Sequence, residues 1–176
     1  MLRLASLEDI PALSALIERS ARALSEGFYS AAETDAAIRY VFGVDTQLIL
    51  DGTYFAAERA EILTGCGGWS HRRTLYGGDQ RPVGGHDNLD PATEAARIRA
   101  FFVAPEAARQ GVGREILAAC ESAAVTAGFT RFELMATLPG VPFYKASGYR
   151  ESEEVLDPLP DGTVVRFVRM TRTTLP

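Results

Sequence analysis

The chain has 176 residues, of which 47% are hydrophobic and 23% are charged, and its formal net charge is −5. These values are typical of one globular domain over residues 1–176 with a single sizeable core. The negative charge argues against non-specific nucleic-acid binding. No apolar run approaches the roughly 20 residues that a membrane-spanning helix needs, so we expect no membrane partner.

The amino-terminal stretch is too acidic for a secretory signal. Glu8, Asp9 and Glu18 interrupt its apolar residues, so we expect a mature start and a cytoplasmic location.

Cysteine, histidine and lysine are scarce in this chain. The two cysteines, Cys66 and Cys120, lie far apart, and the two histidines have no metal-ligand spacing, so we predict neither a disulfide framework nor a metal site. Of the 18 basic residues, 17 are arginines and one is a lysine, Lys145. A motif that requires a lysine must therefore use Lys145.

The first 50 residues predict two helices. Ser6 is a candidate N-cap, with Asp9 as its capping-box partner, and apolar residues recur at helical spacing up to Leu24 before Gly27 ends the helix. Ser30 opens a second, shorter helix.

An antiparallel meander is predicted next. Its strands are Gln47–Leu50, Thr53–Glu58 and Glu61–Ser70, separated by tight turns. About 25 residues rich in Gly, Asp and Pro follow, residues 71–95. Loops of this length are often functional or mobile, so we predict that residues 71–92 move and take part in acceptor choice.

The second half predicts a strand–helix–strand–helix–strand–strand order. The stretch "ARIRAFFV" is predicted as a strand, in which successive side chains alternate between the two faces. One face then carries Arg97, Arg99 and Phe101, and the other carries Ile98, Ala100 and Phe102. A helix then runs from Gly111 to Ala127, with Gly128 as its C′ residue. The strand "FTRFELMAT", the short helix "PGVPFYKAS" and two last strands follow. The whole order indicates an α+β fold with one βαβ-like unit.

The joint between the strand and the helix at Gly111 is suited to an anion. A helix N-terminus offers N–H groups without intrahelical partners and a partial positive charge. Gly111 and Gly113 permit close approach to the backbone, and Arg109 and Arg114 add guanidinium donors. The alternative is a turn that needs glycines for its geometry alone.

Two common phosphate-binding motifs do not fit this joint. A P-loop requires Lys after its last glycine, where this chain has Arg114. A dinucleotide fingerprint requires a third glycine where this chain has Ile116, and the repeated βα units are missing.

The stretch "FFVAPEAARQGVGREIL" resembles the acetyl-coenzyme A loop of the GNAT acetyltransferase superfamily, [QR]-x-x-G-x-[GA] after a strand. The first motif position is Ala108 instead of Gln or Arg. About 30 residues later, "FYKASGY" resembles the second signature of the family, although the preceding "TLPGVP" lacks the Asn that many members carry.

The resemblance implies a GNAT fold of mixed α/β class: a twisted, mostly antiparallel sheet of about seven strands, about four helices and a splayed parallel strand pair at the coenzyme site. It also implies acetyl-coenzyme A as co-substrate. The coenzyme-binding residues would be the strand end and the loop, namely Phe101, Phe102, Val103, Arg109, Gln110, Gly111, Val112, Gly113 and Arg114.

By the same resemblance, Tyr144 is the general acid that protonates the departing thiolate. The family's acceptor pocket would be bordered by residues near the first two helices, at the end of the third strand and at the start of the long loop: Glu26, Phe28, Tyr29, Trp69, Arg72, Arg73 and Tyr76. An exposed arginine pair on a surface hairpin is the alternative for Arg72 and Arg73.

The general base and the acceptor stay open. Glu94, Glu133 and His71 are candidates for the base, and we assign none of them. The expected activity is acetyl transfer to a primary amine of a small molecule or peptide. A longer acyl group, a hydroxyl acceptor and a non-catalytic acyl-coenzyme A sensor are the alternatives. The oligomeric state is open, with a homodimer among the options.

Overall fold

A seven-stranded sheet with helices on both faces forms the core of the computed structural model, which describes residues 1–81 and 87–174. The strands are β1 (Leu2–Leu4), β2 (Tyr54–Arg59), β3 (Ile62–Ser70), β4 (Ala96–Val103), β5 (Arg131–Thr137), β6 (Arg150–Pro158) and β7 (Val164–Thr173). The α-helices of the described residues are α1 (Ile10–Leu24), α2 (Ala31–Tyr40), α3 (Thr46–Leu50), α4 (Val112–Thr126) and α5 (Val141–Ala146).

The strand order is β1-β2-β3-β4-β5-β7-β6, and β4 and β5 are parallel while the other neighbours are antiparallel. The crossover α4 joins the parallel pair, as a βαβ unit requires. The α+β prediction with a single parallel strand pair is therefore confirmed, with five α-helices where about four were expected.

The helix starts follow local capping chemistry. Ser6 and Asp9 form the predicted capping box, which opens a 3₁₀ turn that continues into α1. The Ser30 hydroxyl accepts from the backbone N–H of Glu33, and the Ser30 backbone N–H donates to the Glu33 carboxylate, which fixes the start of α2. Gly128 has a φ of 96° after α4, as its predicted C′ role needs.

Two elements differ from the sequence prediction. Residues 47–50 were predicted as a strand but belong to α3, because the Asp45 side chain accepts a hydrogen bond from Leu48 N–H and caps a helical turn. A short apolar run cannot distinguish strand from helix by periodicity. The edge strand β1 was not predicted and pairs with β2.

Glycines in β3 let larger groups approach the sheet. An added Cβ at Gly65 would meet side chains of α4, 2.8 Å from Val112 and 2.9 Å from Ile116. A Cβ at Gly68, on the opposite face, would stand 2.8 Å from Cδ2 of Tyr54 and 3.0 Å from Leu48 of α3. Helices α4 and α3 therefore cover opposite faces of the sheet.

No helix among the described residues combines the length and the apolar character that crossing a bilayer would take. The cytoplasmic location stays a prediction.

We predict that Gly68→Ala destabilises the fold by about 1–3 kcal/mol, because the methyl group overpacks against the Tyr54 ring and the Thr53 carbonyl. Urea unfolding measures the loss. Gly140→Ala is the matched control: its backbone is helical and its nearest contact is the Thr137 hydroxyl at 3.2 Å, so its cost should stay below about 1 kcal/mol. Equal stability of the two variants would contradict the packing at Gly68.

Candidate active site

A gap between β4 and β5 opens onto a cavity that is lined by described residues. The parallel ladder pairs only Ala96–Ile98 with Phe132–Leu134, and the two strands separate beyond Ile98. A cavity of about 750 Å³ occupies the gap. The divergence of the two strands therefore opens the sheet to the cavity, and helices and loops complete its walls.

A bulge in β4 changes the direction of its side chains at this gap. Arg99 pairs with Gly68 and Phe102 with Cys66, so Ala100 and Phe101 together oppose one residue of β3. Ala100 has a φ of 50°, in the left-handed region.

The predicted alternation is therefore wrong after Arg99. Phe102 lies on the face of Arg97 and Arg99, and Phe101 lies on the opposite face. One inserted residue shifts the two-residue period, which the sequence pattern does not show.

A tyrosine from β2 holds the bulge in place. The Tyr54 hydroxyl donates to the Ala100 carbonyl at 3.0 Å. Its ring reaches β4 by passing over Gly68 of the intervening strand, where a side chain would collide with it. Tyr54 is fully buried, and burial raises the pKa of its phenol well above the usual value.

The segment between β4 and α4 presents a helix N-terminus to the cavity. Arg109 and Gly111 have positive φ values of 65° and 86°, and Gly111 is the N-cap of α4. A glycine cap has no side chain to accept from the first N–H groups of the helix. Gly111, Gly113, Arg109 and Arg114 line the cavity, together with Ala108. An anion placed there would meet free backbone donors and two guanidinium groups.

Two predicted loop residues point elsewhere. The Gln110 amide donates to the Glu106 carbonyl at 2.7 Å. Val112 is buried against β3 at Gly65. Their side chains shape the turn, and neither lines the cavity.

Tyr144 lies in the cavity wall, within an aromatic cluster. Its ring packs edge-on at 5.0 Å from Phe143, 5.7 Å from Tyr149 and 6.1 Å from Phe101, between ring centroids. The residue is 7% exposed, and burial raises the pKa of its phenol. The group therefore stays protonated at neutral pH, as a proton donor must. Phe101, Phe102 and Val103, predicted beside it, also line the cavity.

Of the residues predicted at the acceptor pocket, Phe28 and Tyr76 line the cavity, and the others do not. The Tyr29 hydroxyl donates to the Arg166 carbonyl at 2.6 Å and accepts from Leu138 N–H at 2.9 Å, so it links the α1–α2 turn to β7. Burial raises the pKa of Tyr29 to about 12. Trp69 is buried, with its ring 6.0 Å from that of Phe129.

The two arginines of this prediction form ion pairs outside the cavity. Arg72 contacts both carboxylate oxygens of Asp51, at 2.7 and 2.8 Å. Arg73 contacts Glu94. The backbone of Arg72 also forms an isolated antiparallel β-bridge with Asn88.

The three candidate bases also lie outside the cavity lining. Glu94 accepts from the Asp90 backbone N–H and from Arg73, and these bonds lower the pKa of its carboxyl. Glu133 is buried between Arg97 and Arg169. The His71 ring lies 6.0 Å from that of Trp69.

The cavity also contains residues that the sequence analysis missed. Three from distant parts of the chain are Phe42, Met135 and Phe167. Phe42 contacts Phe102 and Phe167 edge-on at 5.7 and 6.1 Å. No local motif marks these residues, because tertiary packing alone brings them together.

The long loop is partly described. Residues 82–86 lie outside the described part of the chain, so the predicted movement of residues 71–92 stays a prediction. Before the gap, Gly78 N–H donates to the Val41 carbonyl at 2.8 Å and Arg81 pairs with the buried Asp157 at 2.6 Å. These contacts hold Tyr76 against Phe167, 5.7 Å between ring centroids.

A buried ion pair fixes this loop to the sheet. Arg99, 6% exposed, contacts the Asp45 carboxylate at 2.7 Å and donates to the Gly77 carbonyl at 2.9 Å. Arg99 thus joins β4, the start of α3 and the loop that carries Tyr76.

Comparisons with known proteins agree with this geometry. A family model described as an acetyltransferase (GNAT) domain matches residues 78–173. A GCN5-related N-acetyltransferase from Rhodopseudomonas palustris has a similar structure, with a TM-score of 0.71 and 18% identity over 98% of this chain and 94% of that chain. The search of curated protein sequences gives no significant match.

Two further structures share the fold. PaiA N-acetyltransferase from Thermoplasma acidophilum, solved with coenzyme A, has a TM-score of 0.65 at 15% identity and covers 98% of each chain. Ribosomal-protein-S18-alanine N-acetyltransferase from Escherichia coli has a TM-score of 0.59 at 15% identity, over 100% of this chain and 95% of that chain. At such identities the likeness concerns the fold.

We predict that Asp45→Asn destabilises the protein by about 3–5 kcal/mol, because it leaves the Arg99 charge buried without a counter-ion. Asn keeps the shape and the capping oxygen of Asp45, so the loss reports charge. Thermal and urea unfolding measure it. Glu106→Gln, which removes the exposed pair with Arg19, should cost under about 1 kcal/mol. A similar small loss for Asp45→Asn would contradict the role of the buried pair.

Proposed function

Because the chain belongs to the GNAT acetyltransferase family, we propose that it transfers an acetyl group from acetyl-coenzyme A to the nitrogen of a primary amine, by direct attack in a ternary complex. The observation that carries the proposal is one continuous cavity. It runs from the N-terminus of α4 at Gly111, along the edge of β4 that leaves β5, to Tyr144.

Each part of the cavity has a role in this reaction. The first N–H groups of α4, with Arg109 and Arg114, bind the pyrophosphate of the coenzyme. The pantetheine arm lies in the gap between β4 and β5, where the backbone of β4 has no partner from β5. Backbone N–H groups near Phe101 and Phe102 polarise the thioester carbonyl, and the Ala100 bulge sets their direction.

Tyr144 acts as the general acid. The amine nitrogen attacks the carbonyl carbon, the carbon–sulfur bond breaks, and the sulfur takes the phenol proton. The burial that raises the pKa of Tyr144 keeps this proton in place before the reaction. The proton that the nitrogen loses restores the phenol, so the reaction yields an amide and free coenzyme A.

The Ala108 departure from the family pattern leaves this binding mode intact. Backbone N–H groups of the helix start make the pyrophosphate site, and the side chain at position 108 supplies none of them.

We predict that acetyl-coenzyme A raises the melting temperature of the protein, since a ligand at 100 times its dissociation constant adds about 2.7 kcal/mol of stability. Gly113→Val should weaken binding by about tenfold or more, because the new side chain enters the cavity beside Phe143, whose ring is 3.3 Å from an added Cβ. Calorimetry measures both affinities. Ala118→Val places the same side chain on an exposed position of α4 outside this cavity and should bind as wild type does. Unchanged affinity in Gly113→Val would show that the helix start does not hold the coenzyme.

We predict that Tyr144→Phe lowers kcat by about 10²-fold or more while the affinity for acetyl-coenzyme A changes little, because the ring remains and only the proton donor is lost. Steady-state kinetics with an accepted amine measures this split. Tyr149→Phe is the control, since its hydroxyl donates to Glu121 at 2.8 Å outside the cavity and its kcat should stay near wild type. A wild-type kcat in Tyr144→Phe would remove this residue from the mechanism and favour a different proton donor.

A further inference from the structure

The side of the cavity that faces the acceptor is apolar and aromatic. We use the name acceptor half for the part of the cavity on the Phe102 face of the sheet, opposite α4. Six of its large side chains are Leu24, Phe28, Phe42, Tyr76, Met135 and Phe167. Two of them, Leu24 and Phe28, are 37% and 51% exposed and lie at the end of α1 and in the turn after it. Large apolar side chains that remain exposed beside a cavity indicate a binding surface for an apolar ligand.

No acidic side chain is available to a cationic acceptor in this cavity. Among the described residues, no Asp, Glu, His or Lys lines it, and its charged members are Arg99, Arg109 and Arg114. The other polar groups on the side chains of the acceptor half are the hydroxyls of Ser20, Ser25, Tyr76 and Thr137. An ammonium group that entered would lose its hydration without gaining a counter-ion, which is unfavourable.

A carboxylate on the acceptor would meet a guanidinium whose charge is already balanced. Arg99 is the charged residue of this half in the part of the chain that the structure describes, and its Nη2 contacts the Asp45 carboxylate and donates to the Gly77 carbonyl. Its side chain is 4% exposed. The two other arginines belong to the helix start, where the coenzyme would bind. Both signs of charge are therefore disfavoured.

Among the residues that the structure describes, none that lines the cavity could deprotonate an ammonium. Glu94, Glu133 and His71 lie outside its lining, and the carboxylates of Glu94 and Glu133 are bound to arginines. An alkylamine resembles the lysine side chain, with a pKa near 10.4, so only about one molecule in a thousand is neutral near pH 7. An aromatic amine has its lone pair delocalised into the ring and is neutral at this pH. Such an acceptor needs no base before it attacks.

We propose that the acceptor is an uncharged aromatic amine, which packs its ring among the aromatic side chains of the acceptor half and attacks without prior deprotonation. This inference rests on the proposed acetyl transfer. The step is balanced: the neutral nitrogen forms the carbon–nitrogen bond, the thiolate leaves with the Tyr144 proton, and the proton lost from nitrogen returns to the phenol. The products are an anilide and coenzyme A.

The test compares aniline with benzylamine, which has one more methylene and is a cation at pH 7. Release of the coenzyme A thiol is followed with acetyl-coenzyme A at saturation, corrected for the reaction without enzyme. We expect kcat/KM for aniline to exceed that for benzylamine by at least about tenfold at pH 7. The advantage should shrink by about tenfold per pH unit as benzylamine becomes neutral. Spermidine and glycine, as a polycation and a zwitterion, should give no turnover.

Failure of this inference and failure of the proposed function give different results. A melt that shows no stabilisation by acetyl-coenzyme A counts against acetyl transfer itself. Stabilisation by acetyl-coenzyme A with a preference for benzylamine, spermidine or glycine at pH 7 overturns only the acceptor class. Stabilisation with no acetylation of aniline also overturns it.

A charge placed at the mouth of the cavity gives an independent test. Leu24→Glu adds a carboxylate at a partly exposed position, and Leu24→Gln adds the same shape without charge. The ratio of aniline to benzylamine activity should fall at least about threefold in Leu24→Glu relative to Leu24→Gln, because the carboxylate pairs with the ammonium. Thermal melts check that both variants fold. An equal ratio of aniline to benzylamine activity in the two variants would contradict the conclusion that charged side chains in the cavity lining determine the class of acceptor.

Discussion

The separation of β4 from β5 after Ile98 is the constraint on which the rest of the structure depends. Strand backbone that loses a neighbour must find other partners or face a ligand. The gap therefore needs a strand that stays rigid with one paired edge. Pairing with β3, the Ala100 bulge and the Tyr54 hydroxyl on the Ala100 carbonyl together supply that rigidity. Gly68 of β3 contributes to this rigidity, because the absence of a side chain there lets the Tyr54 ring cross to β4.

Much of the fold was predictable because local chemistry determines it. The capping boxes at Ser6 and Ser30 and the left-handed Gly128 are features of a few consecutive residues, and the structure confirms them. The assignment of residues 47–50 to a strand was wrong because a single capping side chain, Asp45, decides the conformation of an apolar run that is ambiguous by itself. The bulge at Ala100 could not be predicted from the sequence, because it arises from the pairing of β4 with β3 and no glycine or proline marks its position.

The candidate site also has one part that the sequence predicts and one that it does not. The coenzyme loop is contiguous in sequence, so a motif of a few residues marks it, and four of its six predicted members line the cavity. The acceptor half is assembled from α1, the α2–α3 turn, the long loop, β5 and β7, so sequence neighbours are poor guides to it. Trp69 lies at the end of β3, and Arg72 and Arg73 follow it closely in sequence, yet their side chains pack or form ion pairs outside the cavity. The family model covers residues 78–173 and thus leaves α1 and the α2–α3 turn, which border the acceptor half, unmatched.

The cavity has Phe101 on one face of the sheet and Phe102 on the other, so it passes through the sheet at the gap. Under the proposed function, this passage gives each reactant its own entrance, and the two meet only where the strands part. Neither reactant then blocks the way of the other, so either can bind first. After transfer, the amide and the coenzyme depart by separate routes, so an excess of one product does not trap the other. A double-reciprocal plot for such a catalyst shows intersecting lines, as sequential addition requires.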